Sequence, residues 1–213
     1  IKNFKSFTPF LDSLSNHSLI FPNAFATSRK SIHGMPSVLA GVPSFEIAYT
    51  SSYYSRQKLE SMVSISNAIG YDTSFLHGAK NGSMGFQGFA NTLGYDNYYG
   101  RDEFNNDTEY DGFWGIWDEP FLQFSKSILD NKNEPFLATI FTITSHEPYI
   151  IPDKFKDMFD KGYLPIHKCV GYTDYSIRQF FKGIEKSSWF ENTIFIFTSD
   201  HTCLLYTSDA ADE

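Results

Sequence analysis

The chain is poor in cysteine. Its 213 residues hold two, Cys169 and Cys203, far apart and with no CxxC pair, so neither a zinc knuckle nor a disulfide framework is expected. Basic residues are also scarce: 17 Lys and Arg stand against 25 Asp and Glu, a net charge of −8, and the longest basic run is Arg29-Lys30. A duplex nucleic-acid binder needs Lys and Arg clustered along one face, so nucleic acid is not an expected partner. No run of 18 apolar residues occurs, and the opening IKNFKSF lacks the apolar core of a signal peptide. A nucleophile elbow of the GxSxG type is missing as well, because NGSMG at 81–85 has Asn where the motif needs glycine. Neither an internal repeat nor a linker between domains is visible.

Aromatic residues are plentiful. With 22 Phe, 13 Tyr and a hydrophobic share of 41%, the chain has ample material for a core and is not of the disordered class. Its length suits one domain or most of one.

Short apolar runs rich in branched and aromatic residues alternate with helical patterns, the signature of a layered α/β domain. Residues 8–16 (TPFLDSLSN) read as a helix with Thr8 as cap and Pro9 at its first position. LIFPNAFA (19–26) reads as a strand broken by Pro22, and 31–40 as a helix. Leu59, Met62, Val63, Ile65 and Ile69 have helical spacing, stopped by Gly70, and YDTSFLH (71–77) follows as a buried strand. Helices are expected over 85–93, 118–130 and 168–187, and a short strand at YDNYY. FLATIFTIT (136–144) and TIFIFTS (193–199) are the two expected central strands, buried on both faces. The polar, aromatic, glycine-containing stretch 97–117 reads as a long loop lining a pocket.

Both central strands end in residues with chemistry: Ser145-His146-Glu147 and Asp200-His201. In open α/β sheets, sites collect at the carboxyl ends of strands, so the two ends are expected to face one crevice. Asp200 and His201 pair a hard oxygen with an imidazole, donors suited to a divalent cation, although a DH dipeptide also fits a plain loop. His146 suits an oxyanion contact or a general acid, or a loop hydrogen bond. His77-Gly78 ends another strand, with Asn81 beyond it as a further donor or as part of a turn.

In TSRKSIHGMPSVLAG (27–41), Ser31 sits where a helix begins, beside Arg29 and Lys30. Free N–H groups and the helix dipole favour an anion there. Local chemistry admits two roles for Ser31, a nucleophile activated by a base or a metal, or a helix cap.

In order, TPFLDSL, FPNAFATSRKSIHGMPSVLAGVPS, FLHGAKNGSMGF, GYDNYYGRDEF, WGIWDEPFL, IFTITSHEPY, PIHKCVGYTDYSI and IFIFTSDHT form a set that resembles the sulfatase-like branch of the alkaline phosphatase superfamily, specifically its lipoteichoic acid synthase and phosphoglycerol transferase group. The resemblance covers about residues 8–202. It implies an alkaline-phosphatase-like α/β/α sandwich with a mostly parallel sheet, present here as a partial catalytic domain over 1–202 with sheet strands lying beyond both ends. It implies a metal-dependent enzyme in which Ser31 attacks a phosphate or sulfate ester and forms a covalent intermediate, with Ser28 as second choice. Ser31, Asp200 and His201 map onto metal ligands and His146 onto the substrate-phosphate histidine; Arg29, Lys30, His77 and Asn81, from their own positions, are the further expected substrate-side residues. Mn²⁺ is the expected ion, with Zn²⁺, Mg²⁺ or Ca²⁺ as alternatives.

In that group the first metal ligand is an acidic residue ending a strand upstream of TPFLDSL, so the set present here is incomplete and the piece alone is expected to be a weak or inactive catalyst. The group's substrate-side Arg and Trp fall near 81–84, where neither occurs. Formylglycine sulfatases need CxPxR or SxPxR at the nucleophile, whereas Ser31 is followed by Ile-His-Gly-Met. The formylglycine mismatch therefore points to phospho-transfer, of the phosphoglycerol or phosphoethanolamine type in the cell envelope, on a lipid headgroup or glycan; the missing Arg and Trp count against phosphoglycerol within that pair. Sulfuric ester hydrolysis, or a non-catalytic domain of the same fold that binds anionic glycans or headgroups, is the alternative. The expected location is the extracytoplasmic face of a bacterial membrane, reached through transmembrane helices upstream of Ile1. Residues 203–213 (CLLYTSDAADE) fit neither a strand nor a helix and read as a non-native tail.

Overall fold

The computed structural model describes residues 5–44 and 46–202; the expected tail at 203–213 lies outside them. Three strands, β1 (Asp72–His77), β2 (Asn97–Tyr99) and β3 (Phe136–Phe141), form a parallel sheet in the order β2-β1-β3. Parallel neighbours need crossovers. Helix α4 (Phe86–Leu93) makes the first; the short α5 (Arg101–Phe104) and the longer α6 (Asp118–Leu129) lie along the second.

Alternation along β1 assigns the two faces. Phe75 joins Met35 and Leu39 of α2 (Ser31–Ala40), Val63 of α3 (Met62–Ala68) and Phe86, Phe89 and Leu93 of α4. Leu76, one residue on, points the other way to Ile116 and Phe121. On that second face, Leu122 and Leu129 of α6 meet Phe180 and Ile184 of α7 (Ile166–Ile184). A sheet covered on both sides is what the near-continuous apolar strands require. His77, two residues after Phe75, therefore shares the α2 face.

The layered α/β architecture is as expected, but four segments differ. LIFPNAFA forms no strand: Leu19, Phe21 and Phe25 are more than two-thirds exposed, Pro22 has no N–H to give a ladder, and the chain turns through the bond from Ala24 N–H to Phe21 O. TIFIFTS joins no ladder among the described residues. Phe195 packs on Phe181, Trp189 and Phe190, while Ile194 and Ile196 face outward. Apolar alternation is present, yet a strand also needs a neighbour to bond with, and none of the described segments supplies one. For the same reason β3 is half-buried along its length and sits at the edge of the described sheet. Of the helical apolar set at 59–69, Val63 is buried while Met62, Ile65 and Ile69 remain exposed.

Helix α1 (Pro9–Ser15) begins at Pro9 as expected, but the Thr8 side chain does not cap it. Its free Phe10 and Leu11 N–H groups donate to the two oxygens of Asp174, a buried carboxylate on α7, at 3.0 and 2.8 Å. Replacing Asp174 by Ala strands both donors, so Asp174→Ala is expected to lower unfolding free energy by about 1–2 kcal/mol, the usual worth of a helix cap. Urea denaturation checks it: an unchanged midpoint would show that α1 is held by packing alone.

Candidate active site

Beyond the carboxyl ends of β1 and β3, a cavity of about 410 Å³ is lined by Ser31, His77, His146, Asp200 and His201. Met35, Val38, Met84, Trp114 and Ile143 supply its apolar wall. Five candidate residues separated by up to 170 positions in sequence thus share one space.

Each arrives by a different route. Ser31 is the first residue of α2, whose cap is Lys30 in extended conformation; no side chain caps the helix. Ser28, the second-choice nucleophile, donates its hydroxyl to Lys30 O at 3.4 Å and does not cap the helix. Three residues into α2, Gly34 lies directly against the 200–201 segment: a Cβ there would be 2.2 Å from Asp200 O. Hydrogen is the only side chain that fits, and this close approach brings the head of α2 to the Asp-His pair.

Asp200 and His201 are arranged as two open donors. Asp200 Oδ1 accepts from His201 N–H at 3.0 Å, while the buried Oδ2 has no hydrogen-bond partner and lies 3.7 Å from His201 Nε2. His201 Nδ1 is 2.8 Å from Thr202 O. A carbonyl only accepts, so the proton sits on Nδ1 and the Nε2 lone pair is free, the tautomer a metal-binding histidine uses. An orphaned carboxylate oxygen beside an imidazole lone pair fits a divalent cation. Among the described residues no group of three or more His, Cys, Asp or Glu side chains converges on such a site; a third donor from this chain would be the Ser31 hydroxyl.

His77 is fully buried, and neither ring nitrogen has a hydrogen-bond partner. Its ring lies among Phe75, Phe86 and Phe141, with Phe141 5.0 Å away on the paired position of β3. Burial pushes its pKa down to about 4, so it is neutral at pH 7 and brings one donor and one acceptor to the cavity.

His146 is exposed, on the turn that follows β3. Residues not singled out as functional hold that turn. The buried Asp118 carboxylate, at the start of α6, accepts from Ile143 and Thr144 N–H at 2.9 and 3.0 Å and from the Thr173 hydroxyl of α7 at 2.7 Å. Sequence suggests Asp118 only as a helix cap; its partners lie 25 to 55 residues away, and no local pattern reports them.

Arg29, Lys30 and Asn81 lie outside the cavity wall. Arg29 and Lys30 are exposed on the approach to α2. Asn81 sits in the turn after β1, and its amide donates to both oxygens of Glu103 at 3.1 and 3.0 Å.

With its open parallel sheet covered on both faces, the chain has the fold of the alkaline phosphatase superfamily. The protein of that superfamily from Vibrio parahaemolyticus matches with a TM-score of 0.76 at 26% identity, over 86% of this chain and 46% of that one. More narrowly, the chain belongs to the sulfatase family, whose model matches residues 1–212. It is 26% identical to phosphoglycerol transferase I of Salmonella choleraesuis, over 96% of this chain and 29% of that protein. It is 24% identical to lipoteichoic acid synthase 1 of Bacillus subtilis, over 93% of this chain and 33% of that protein. The chain spans about a third of the length of these curated relatives.

The neutral, buried His77 makes stability depend on pH. The unfolded imidazole takes up a proton near pH 6.5 and the folded one only near 4, so the unfolded state binds more protons in between. Stability is full above about pH 6.5 and falls as pH drops toward 4, by on the order of 3 kcal/mol. Urea unfolding at pH 7.5 and pH 4.5 should show a drop that His77→Gln largely removes. An equal drop in both proteins would contradict the assignment.

Proposed function

We propose that this chain carries the core of a metal-dependent transferase or hydrolase acting on phosphate esters, of the phosphoglycerol- or phosphoethanolamine-transferring type. The convergence of Ser31, His77, His146, Asp200 and His201 on one cavity supports the reading. Ser31, Asp200 and His201 would hold the cation, Mn²⁺ in the first instance, with Zn²⁺, Mg²⁺ or Ca²⁺ as alternatives. When bound, it supplies positive charge that favours the ionised serine and the charge developing on phosphate.

The Ser31 oxygen loses its proton and attacks phosphorus; the ester P–O bond breaks, the departing alcohol takes up a proton, and a phosphoseryl adduct remains. Water or a second alcohol then attacks phosphorus and regenerates Ser31. The free N–H groups of α2 face this charge, and Arg29 and Lys30 add positive potential from the surface rather than direct contact. His146 holds a non-bridging oxygen through Nε2. Because its Nδ1 lies 3.1 Å from Glu147 O and is committed to donating there, donation from Nε2 calls for the doubly protonated ring. His77, neutral, offers a hydrogen bond to an uncharged oxygen of the substrate.

Phosphate is favoured over the formylglycine route to sulfate by one observation. The position where that motif has arginine holds Met35, 3% exposed in an apolar cluster, where a guanidinium would be buried without a partner. The alcohol parts of the substrate are those of a lipid headgroup or an envelope glycan, and the site works on the extracytoplasmic side of a membrane. No helix among the described residues is long and apolar enough to cross one, so attachment would belong to other parts of the protein.

Hydrolysis of a chromogenic phosphodiester by the domain with its native flanking sequence tests the reading. Mn²⁺ should support turnover, EDTA should abolish it, and Ser31→Ala should lower kcat by about a thousandfold or more, as loss of a nucleophile does. Full activity in Ser31→Ala, or indifference to EDTA, would overturn it.

A further inference from the structure

His146 stands on an exposed turn, where an imidazole has many orientations available, yet its environment is built. The Trp114 ring lies against it, centroids 4.4 Å apart at 54°. Trp114 Nε1–H donates to Glu147 O at 2.6 Å, the carbonyl that also faces His146 Nδ1. One carbonyl therefore fixes indole and imidazole side by side, and the imidazole is left with Nε2 free for another partner.

Trp114 is itself held on its far side. Asp111 Oδ1 accepts from the N–H groups of Phe113, Trp114 and Gly115 at 2.8, 2.8 and 3.0 Å. Gly115 lies so close to the end of β1 that a Cβ would be 2.3 Å from Gly78 O, and Ile116 N–H bonds that carbonyl at 2.9 Å. Trp114 is 40% exposed and lines the cavity. A large aromatic ring held half in water by a three-bond turn does little for the core; what it orders is His146.

We propose that Trp114 is a positioning residue, whose ring and indole N–H hold His146 in the orientation that meets an oxyanion in the cavity. This rests on the reading of His146 as the oxyanion contact. Packing by the ring removes rotamers of His146 that the anion would otherwise have to freeze out on binding. Loss of Trp114 should therefore weaken anion binding at His146 and leave the rest of the fold in place.

The experiment is an NMR titration of the histidine-labelled protein with inorganic phosphate, following the His146 ring signals. In the wild type, phosphate should move those signals, which in its absence carry an upfield ring-current shift from the indole. Trp114→Ala should lose the ring-current shift and bind phosphate about tenfold more weakly, the upper end of what an aromatic pair contributes. Trp114→Phe, which keeps a ring and drops the N–H, should lose about threefold and serves as the second variant if the alanine form folds poorly. Wild-type phosphate affinity in the alanine variant, or in the phenylalanine variant when that is the one that folds, would overturn the positioning role. A wild-type His146 that phosphate leaves unmoved would instead overturn the oxyanion reading, and this proposal with it.

Discussion

The site depends on the backbone contact between Gly34 and the Asp200 carbonyl. A residue with any side chain at position 34 would meet that carbonyl 2.2 Å from its Cβ, far inside van der Waals separation, so the helix and the 200–201 segment approach only because the position is glycine. Ser31 lies three residues earlier at the head of the same helix, and Asp200 and His201 carry the open oxygen and nitrogen. Moving α2 outward by the width of a methyl group would carry the Ser31 end of the helix away from the Asp-His pair. Met35 and Leu39, buried against Phe75 and its neighbours, keep the helix from rotating once it is there.

Around that contact the other candidate groups are positioned independently. His77 is delivered by the two-residue period of β1, which puts it on the face that Phe75 and α2 occupy. The turn bearing His146 is set by Asp118, whose carboxylate joins the end of β3 to the starts of α6 and, through Thr173, to α7. The candidate site is thus drawn from four places: the head of α2, the end of β1, the turn after β3 and the 200–201 segment. Such sheets gather functional residues at their carboxyl ends because the loops there all open on the same side.

Much of this was legible in the sequence. β1, β2, α4, α6 and α7 follow from apolar periodicity and turn residues, and the strand-end placement of His77 and His146 follows with them. The family resemblance singled out Ser31, Asp200 and His201, where local physics left Ser31 divided between cap and nucleophile. What the sequence did not disclose is non-local. Asp118 and Asp174 look like ordinary helix acids, and their work is done on N–H groups that chain topology brings from 25 and more than 160 residues away. The apolar runs at 19–26 and 193–199 read as strands because periodicity records which residues shun water; whether a neighbour exists to complete the ladder is a separate matter. Trp114 gave only a hint, an aromatic residue in a glycine-rich loop, and its partner His146 lies 32 positions on.

The head of α2 touches the Asp200-His201 segment, and the candidate site has its shape only if it does. Nuclear Overhauser effects from the Gly34 α protons in the assigned protein test it most directly. Cross-peaks to the backbone of Asp200 and His201 are predicted, from a contact closer than a methyl group allows. Cross-peaks from Gly34 to its own helix alone, with Asp200 and His201 assigned and silent, would contradict it.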